Sequence, residues 1–297
     1  MTKIKTAVIP AGGWGTRFLP ITKSIPKEMF PLGGKPIILH VVEEIVASGI
    51  KNIIFVVAQQ KQLIESFFSN NEMEEDYLLK IGASKEQVEY IKSITKMAEF
   101  TFVYTKNQHG NGRALNAVRN LVGSEPFVFV WSDEIIISKQ KPRIKQCLET
   151  FEKYNKPVIS AVRIADPIKR QRYGMAELKD IKGEVDVKEI ISIKEKPIAG
   201  TEPSEYATHG AYVLTSDIFK ALDKIQIDEN EELGIVDVIN IMKEETGLLA
   251  KIISDGHYLD CGNPTEYLYS QLDYHIHYSE YSSEVLNTLE KGISSRF

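Results

Sequence analysis

The chain has 297 residues, of which 43% are hydrophobic and 26% are charged, and its formal net charge is −5. This length can bury the core of one large α/β domain or of two smaller ones, and the composition is ordinary for a globular protein. The negative charge disfavours a bulk nucleic-acid binder, and no apolar run approaches the roughly 20 residues that span a bilayer. Two cysteines and six scattered histidines exclude a disulfide framework and a cysteine-rich zinc site. The start, MTKIKTAVIP, lacks the features of a signal peptide, so we expect a cytoplasmic protein with no nucleic-acid or membrane partner.

Short, nearly continuous apolar runs alternate with helical patterns along the chain. The runs cover residues 6–11, 52–58, 100–105, 126–131 and 157–164. Such runs are typical of strands buried on both faces of a parallel sheet. The segment between the first two runs, KPIILHVVEEIVASG, carries apolar residues at helical spacing. The alternation predicts an α/β fold with a doubly wound, mostly parallel sheet.

Two stretches interrupt this alternation. Residues 69–98 are charged and helical in pattern, which indicates a helical insert after the second α/β unit. A second helical stretch begins with Asn263 as N-cap and Pro264 at the first helical position. We therefore predict a domain over 1–263, with the insert at about 69–98, and a helical C-terminal tail over 264–297. The tail is rich in tyrosine, which suits either self-association or packing against the domain.

The loop after the first strand, PAGGWGTRFLPITKSIPKEMFP over residues 10–31, combines glycine, proline and basic residues. Glycines let backbone N–H groups approach an anion without interference from a Cβ. Arg17 and Lys27 supply fixed positive charge, and the prolines stiffen the loop. The loop is thus suited to hold a triphosphate, although a glycine-rich surface turn with solvated lysines is the alternative.

Two known phosphate-binding motifs do not match this loop. In the dinucleotide fingerprint a third glycine should stand where this chain has Phe18, and Pro20 would break the required helix. The only Gly-Lys pair precedes Pro36, so the nucleoside-triphosphate P-loop fails as well. These mismatches argue against a nicotinamide dehydrogenase and a P-loop protein.

The stretch AGGWGTRFLPITKSIPKEMFPLGGKP resembles the signature of the nucleotidyltransferases that join a nucleoside triphosphate to a sugar 1-phosphate. Residues 22–29 are most similar to the bacterial UTP–glucose-1-phosphate uridylyltransferase branch. The resemblance implies a Rossmann-like catalytic domain, dependence on Mg²⁺, and conversion of UTP and glucose 1-phosphate to UDP-glucose and pyrophosphate. We also expect a homodimer or homotetramer.

The resemblance implies roles for individual residues of the nucleotide site. Arg17, Lys27 and Lys196 are the catalytic group that neutralises phosphate charge. The implied nucleotide-binding residues are Ala11, Gly12, Gly13, Gly15, Thr16, Glu28, Gln108, Gly110 and Gly112. The alternative for the glycines of NQHGNGRA is a helix-entry turn before a helix that begins near Arg113.

Two carboxylates match the family's metal positions. Asp133 closes the hydrophobic strand of VFVWSDEII, and Asp260 lies in YLDCGNP. A pair of carboxylates suits Mg²⁺ when phosphates and water complete its octahedral shell. The family usually has Leu-Pro before the first aspartate, whereas this chain has Trp131 and Ser132.

The sugar 1-phosphate is assigned, by resemblance, to the chain's second half. The implied residues are Tyr173, Gly174, Glu195, Lys196 and Gly210. A carboxylate accepts hydrogen bonds from hydroxyls, and an ammonium offsets phosphate charge.

One segment departs from the family pattern. Relatives carry Glu-Ile-Gln-Leu-Thr-Asp where this chain has ELGIVD, so Gly234 and Val236 replace two polar residues while Asp237 is kept. The departure leaves open a different sugar or nucleoside triphosphate, and also a non-catalytic regulator that binds a nucleotide sugar.

Overall fold

Strands and helices alternate along the chain, and the five predicted strands are all present. The computed structural model describes residues 3–59, 61–69, 75–106, 110–226 and 231–292. The strands in these ranges are β1 (Thr6–Ala11), β2 (Pro31–Leu32), β3 (Lys35–Pro36), β4 (Asn52–Ala58), β5 (Glu99–Thr105), β6 (Phe127–Val130), β7 (Glu134–Ser138), β8 (Val158–Arg163), β9 (Gly174–Asp180), β10 (Val187–Glu195), β11 (Tyr206–Leu214), β12 (Leu249–Ile252) and β13 (Gly256–Asp260). The α-helices are α1 (Ile37–Ala47), α2 (Gln62–Phe68), α3 (Glu75–Lys80), α4 (Lys85–Lys96), α5 (Arg113–Val122), α6 (Arg143–Tyr154), α7 (Pro167–Arg170), α8 (Asp217–Asp223), α9 (Ile235–Thr246), α10 (Pro264–His277) and α11 (Ser282–Lys291).

The central sheet has nine strands in the order β5-β4-β1-β6-β11-β8-β12-β10-β9. The first four of these run parallel, with β1 between β4 and β6. Two small antiparallel pairs, β13 with β7 and β2 with β3, lie outside this sheet. The structure therefore has a mixed α/β fold.

The second half of the sheet combines parallel and antiparallel pairs, with β8 and β12 parallel to each other. Strand β11 is antiparallel to both β6 and β8, and β10 is antiparallel to β9 and β12. Burial on both faces produces a continuous apolar run whichever way a strand runs. An apolar run such as that of β11 thus indicates that the strand is buried but not in which direction it runs in the sheet.

Helices cover both faces of the sheet. Alternate side chains of β1 point to opposite faces, since Ala7 and Ile9 join one hydrophobic cluster and Val8 joins another. The first cluster contains the apolar residues of α1 and α6, and the second contains those of α5, α8 and α9. In the described ranges, no helix combines the length and the apolarity needed to cross a membrane.

The predicted helical insert and helical tail are both present in the described residues. Helices α3 and α4 fall within 69–98, and Ser84 closes a capping box with Gln87 at the start of α4. At the tail, the Asn263 side chain accepts the Glu266 N–H at 3.1 Å, and α10 begins at Pro264 as predicted. Residues 70–74 of the insert and 293–297 of the tail lie outside the described part of the chain.

Candidate active site

A cleft of about 1070 Å³ opens beyond the carboxyl ends of β1 and β6. Ligands bind at this position in open α/β sheets. The cleft brings together most residues that the sequence analysis selected, although they are far apart in sequence. Those that line it are Gly12, Gly13, Gly15, Thr16, Arg17, Lys27, Glu28, Gly110, Asp133, Tyr173, Gly174, Glu195, Lys196 and Asp260.

The opening loop is folded into three short 3₁₀ turns and is anchored to the core. Gly15 adopts a left-handed φ of 63°, and its carbonyl accepts a hydrogen bond from the Thr22 hydroxyl at 2.9 Å. The Phe18 ring packs edge-on against the rings of Phe30 and of Tyr267 in α10, with ring centroids 5.1 Å and 6.0 Å apart. The glycine-rich edge of the cleft is therefore held by packing on the tail helix as well as by the loop itself.

Lys27 places an ammonium group among three carboxylates in the cleft. Its Nζ pairs with Asp133 Oδ2. Burial by itself would lower the pKa of Lys27, but the charges of Asp133, Glu28 and Asp260 raise that pKa well above its ordinary value. Lys27 is thus a permanent cation where a phosphate could reach it.

Glu28 is fixed by a lysine that the sequence analysis did not select. Lys61 Nζ donates to both carboxylate oxygens of Glu28 at 2.8 Å, and the two side chains are 5% and 1% exposed. Burial lowers the pKa of Lys61 despite the nearby negative charge of Glu28. The only sequence signal for Lys61 is its position just after β4, whose carboxyl end points to the same sheet edge.

Asp133 and Asp260 converge around Gly262. A Cβ built on Gly262 would lie 3.1 Å from Asp133 Oδ2 and 3.1 Å from Asp260 Oδ1, so only a glycine leaves the space between the carboxylates open. Asp260 accepts the Gly262 N–H at 2.7 Å and the Tyr173 hydroxyl at 3.1 Å. Burial, followed by the charges of Glu134 and Asp133, raises the pKa of Asp260 to about 6.

These residues fit a partly hydrated cation. The described residues contain no group of three or more His, Cys, Asp or Glu side chains able to hold a metal ion. A pair of neighbouring carboxylates is instead the type of donor set that binds Mg²⁺ together with substrate phosphates and water.

Lys196 and Glu195 face the cleft from the end of β10. Lys196 has a left-handed φ of 42°, which is uncommon for a residue with a side chain, and its N–H donates to the Tyr173 carbonyl at 3.1 Å. The side chains of Lys196 and Glu195 lie 3.5 Å apart and are about half exposed. Removal from bulk water raises the pKa of Glu195; the charges of Asp237 and Glu134 add to this effect, and Lys196 opposes it.

Ala11, Gly112 and Gly210 were predicted at the site but are not among the described residues that line the cleft. Ala11 is buried at the end of β1, and Gly112 donates its N–H to the Leu233 carbonyl at 2.9 Å. A Cβ on Gly210 would lie 1.9 Å from the Trp131 ring, so Trp131 faces the cleft in its place. Gln108 lies outside the described residues.

The loop around Gly110 contacts the ELGIVD segment, a contact that the sequence analysis missed. A Cβ on Gly110 would lie 2.2 Å from the Leu233 carbonyl oxygen, and the Asn111 side chain accepts the Ile235 N–H at 2.8 Å. Gly234 and Val236 both line the cleft, so the departure from the family pattern is at the ligand surface.

Other lining residues were also missed. They are Asn111, Trp131, Ser132, Glu134, Gln171, Arg172, Thr208, Tyr212, Glu232, Asn263 and neighbours of those already named. Most of them lie one or two positions from a selected motif in the sequence. Closeness in sequence to a motif was therefore the one signal that could have identified them. Their orientation depends on strand register, which the sequence does not display.

The fold and the cleft define an α/β protein whose cleft, at the carboxyl ends of parallel strands, combines a glycine-rich loop, lysine side chains and two neighbouring aspartates. The sequence model of the family described as nucleotidyl transferase matches residues 6–276. The chain belongs to this family.

Individual relatives support the assignment. A protein of Staphylococcus saprophyticus named UTP–glucose-1-phosphate uridylyltransferase 2 is 35% identical over 292 residues, covering 98% of this chain and 99% of that protein. A solved structure of UDP-glucose pyrophosphorylase complexed with UDP-glucose has a TM-score of 0.80 at 32% identity, and covers 92% of this chain and 98% of its own. A UTP-bound UGPase from Acinetobacter baumannii has a TM-score of 0.82 at 27% identity, with 96% and 98% covered.

Proposed function

We propose that this protein transfers a uridylyl group from UTP to glucose 1-phosphate, producing UDP-glucose and pyrophosphate. The observation that carries the proposal is the convergence of Lys27, Asp133 and Asp260 below the glycine-rich loop. Relatives named for this reaction match the chain over nearly its whole length. A solved neighbour complexed with UDP-glucose shares its fold.

Arg17, Lys27 and the opening loop bind the triphosphate. Carboxylates hold the Lys27 side chain in place, so its ammonium group does not have to change conformation before it binds the triphosphate. This part of the site is completed by Ala11, Gly12, Gly13, Gly15 and Thr16. The uracil base of UTP is bound by Gln108, Gly110 and Gly112.

Lys196 holds the sugar phosphate, and Tyr173, Gly174 and Glu195 bind the sugar. An oxygen of the ionised sugar phosphate attacks the α-phosphorus of UTP. As that bond forms, the bond from the α-phosphorus to the bridging oxygen breaks, and pyrophosphate leaves on the opposite side. No side chain has to act as nucleophile, so catalysis consists of positioning and charge neutralisation.

Asp133 and Asp260 would hold Mg²⁺, because their oxygens border a space that only a glycine leaves open. When bound, Mg²⁺ supplies positive charge to the phosphate oxygens. Lys27 pairs with Asp133, so its ammonium would lie beside a cation held at this position.

A different sugar 1-phosphate or nucleoside triphosphate is the second candidate. Gly234 and Val236 line the cleft in place of the family's polar residues, which favours this alternative. Both residues are remote in sequence from the opening loop, so the reaction type is the same in either case.

We also propose a finer description of the architecture. The parallel strands β5-β4-β1-β6 have the order third, second, first, fourth, which supports a Rossmann-like, doubly wound catalytic unit. The catalytic domain covers 1–263 and the tail covers 264–297.

The tail supports a proposal of self-association. Leu286 and Leu289 of α11 are 42% and 45% exposed, which suits a homodimer or homotetramer. The double variant Leu286→Glu/Leu289→Glu should lower the mass measured by light scattering, and an unchanged mass would exclude α11 from the interface.

We place the enzyme in the cytoplasm, where its nucleotide substrate is maintained.

The reaction is tested by measuring pyrophosphate release with Mg²⁺ for each pairing of UTP, dTTP, CTP, GTP and ATP with glucose, galactose, mannose and N-acetylglucosamine 1-phosphates. We expect UTP with glucose 1-phosphate to dominate. Preference for another sugar would identify Gly234 and Val236 as the residues to exchange. No release in any pairing would refute the proposed reaction.

A further inference from the structure

Glu134 is a carboxylate in the cleft to which the proposed mechanism gives no role. It begins β7 directly after Asp133, and the strand register sets it opposite Asp260. Its side chain lines the cleft and is 18% exposed. The residue is therefore close to the proposed metal position and open to a ligand.

One oxygen of Glu134 is held by the protein. Oε2 accepts the Gly210 N–H at 3.1 Å and lies 3.3 Å from His209 Nδ1. Gly210 falls where the ladder between β11 and β8 is irregular, so its N–H needs a partner outside that ladder. The carboxylate supplies this partner and is fixed by it.

His209 contributes to this support through its Nδ1. It is fully buried between aromatic rings, with its ring centroid 4.0 Å from that of Tyr258 and 4.8 Å from that of Tyr173. Its Nε2 is buried without a hydrogen-bond partner in the described residues, which disfavours a proton there. The proton then belongs on Nδ1, from which it is directed at Glu134 Oε2.

The other oxygen of Glu134 is available. Within the described ranges, Oε1 makes no hydrogen bond, and no lysine or arginine forms an ion pair with this carboxylate. A carboxylate without an ion-pair partner repels phosphate and attracts hydrogen-bond donors. Its ligand should consequently be a hydroxyl-bearing group rather than a phosphoryl group.

The position of this charge matches the sugar end of the cleft. Glu134 Oε2 accepts the Gly210 N–H of β11, and the Thr208 hydroxyl of the same strand donates to the Gly174 carbonyl at 3.1 Å. A Cβ on Gly174 would lie 3.0 Å from both Thr208 Oγ1 and Glu195 Oε2. Glu134 and Glu195 thus act on the same region, with Lys196 next to Glu195 on the phosphate side.

We infer that Glu134 is a specificity-determining residue whose free carboxylate oxygen accepts a hydrogen bond from a hydroxyl of the sugar ring of the sugar 1-phosphate. The inference rests on the proposed function and extends it from Glu195 to a second carboxylate. His209 and the Gly210 N–H are positioning groups, because they aim this carboxylate without touching the ligand.

The variant Glu134→Gln tests the inference while preserving the support. Its amide oxygen can still accept from Gly210 and His209, which turns the amide NH₂ toward the cleft and exchanges an acceptor for a donor. We expect KM for glucose 1-phosphate to rise about tenfold or more, with KM for UTP unchanged. Glu152→Gln, on an exposed position of α6, is the matched control and should behave as wild type.

Monodeoxy analogues of glucose 1-phosphate, each lacking one hydroxyl, separate ligand contact from structural support. For the hydroxyl that Glu134 binds, removal should raise KM of the wild type but have little further effect in Glu134→Gln. If every analogue loses the same factor in both proteins, or if KM for glucose 1-phosphate is unchanged, Glu134 only supports Gly210 and the inference is wrong. A wild type without turnover on any sugar 1-phosphate refutes the proposed function instead, and the inference with it.

Discussion

Asp260→Asn should make the ligand-free protein more stable while it removes activity. Asp260 is ionised at neutral pH in a buried setting near the charges of Glu134 and Asp133. An asparagine keeps the shape and can accept the Gly262 N–H that Asp260 accepts at 2.7 Å. The substitution therefore removes the unfavourable free energy of the ionised carboxylate and retains the hydrogen bond from the Gly262 N–H.

The magnitude follows from the pKa of Asp260. Folding raises this pKa from 3.8 to about 6, and at about 1.36 kcal/mol per unit the ionised group costs about 3 kcal/mol. Because the folded-state pKa lies above the unfolded one, the cost is fully present above about pH 6 and disappears as pH falls towards 3.8. Asp260→Asn should thus raise the free energy of unfolding by about 3 kcal/mol at neutral pH and by little near pH 4.

Urea unfolding of the wild type and the variant at both pH values measures this difference. Asp133→Asn is the informative contrast, because it removes the partner of the Lys27 ammonium and should destabilise the protein. Mg²⁺ with UTP should raise the melting temperature of the wild type but barely raise that of Asp260→Asn. If Asp260→Asn is less stable than wild type at neutral pH, the carboxylates do not repel one another.

Three further substitutions test other parts of the site. Lys196→Ala should retain the fold and lower turnover about a hundredfold, comparable to losing one transition-state donor, and near-normal turnover would remove Lys196 from the site. Lys61→Met should cost about 3–5 kcal/mol of stability in urea, because it leaves the buried Glu28 carboxylate without its hydrogen-bonded partner, and adding Glu28→Gln should recover most of that loss; a stable single variant would contradict the buried ion pair. Gly262→Ala should raise the Mg²⁺ concentration for half-maximal rate about tenfold, since its Cβ crowds both carboxylates, and an unchanged Mg²⁺ titration would exclude this cation position.

The sequence predicted elements better than it predicted their arrangement. Local patterns located β1, β4, β5, β6 and β8 within one or two residues, because apolar runs and helix caps are local signals. The antiparallel entry of β11 between β6 and β8 has no such signal, because strand direction depends on connections that are distant in sequence.

The same distinction applies to the candidate site. Lys27, Asp133 and Asp260 were selected from motifs, and the structure brings them together. The ion pair between Lys61 and Glu28 was not foreseen, because a lone lysine after a strand carries no pattern. Burial and partner choice determine such pairs, and both depend on tertiary packing.

Glycine positions gave a mixed outcome for a related reason. Gly15 adopts the left-handed conformation that a tight anion-binding loop uses. Gly210, in contrast, is a glycine because the Trp131 ring occupies the space of its Cβ, and Gly110 packs equally closely on Leu233. A sequence shows that a side chain is missing but not whether a ligand or the protein itself takes its place.

Uridylyl transfer to glucose 1-phosphate is most directly tested by ³¹P NMR of the wild-type protein with UTP, glucose 1-phosphate and Mg²⁺. We predict that the resonances of UDP-glucose and pyrophosphate grow at equal rates and only when both substrates are present. Formation of UMP and pyrophosphate without glucose 1-phosphate would show water as the acceptor. That outcome, or the absence of any product, would contradict uridylyl transfer to a sugar phosphate.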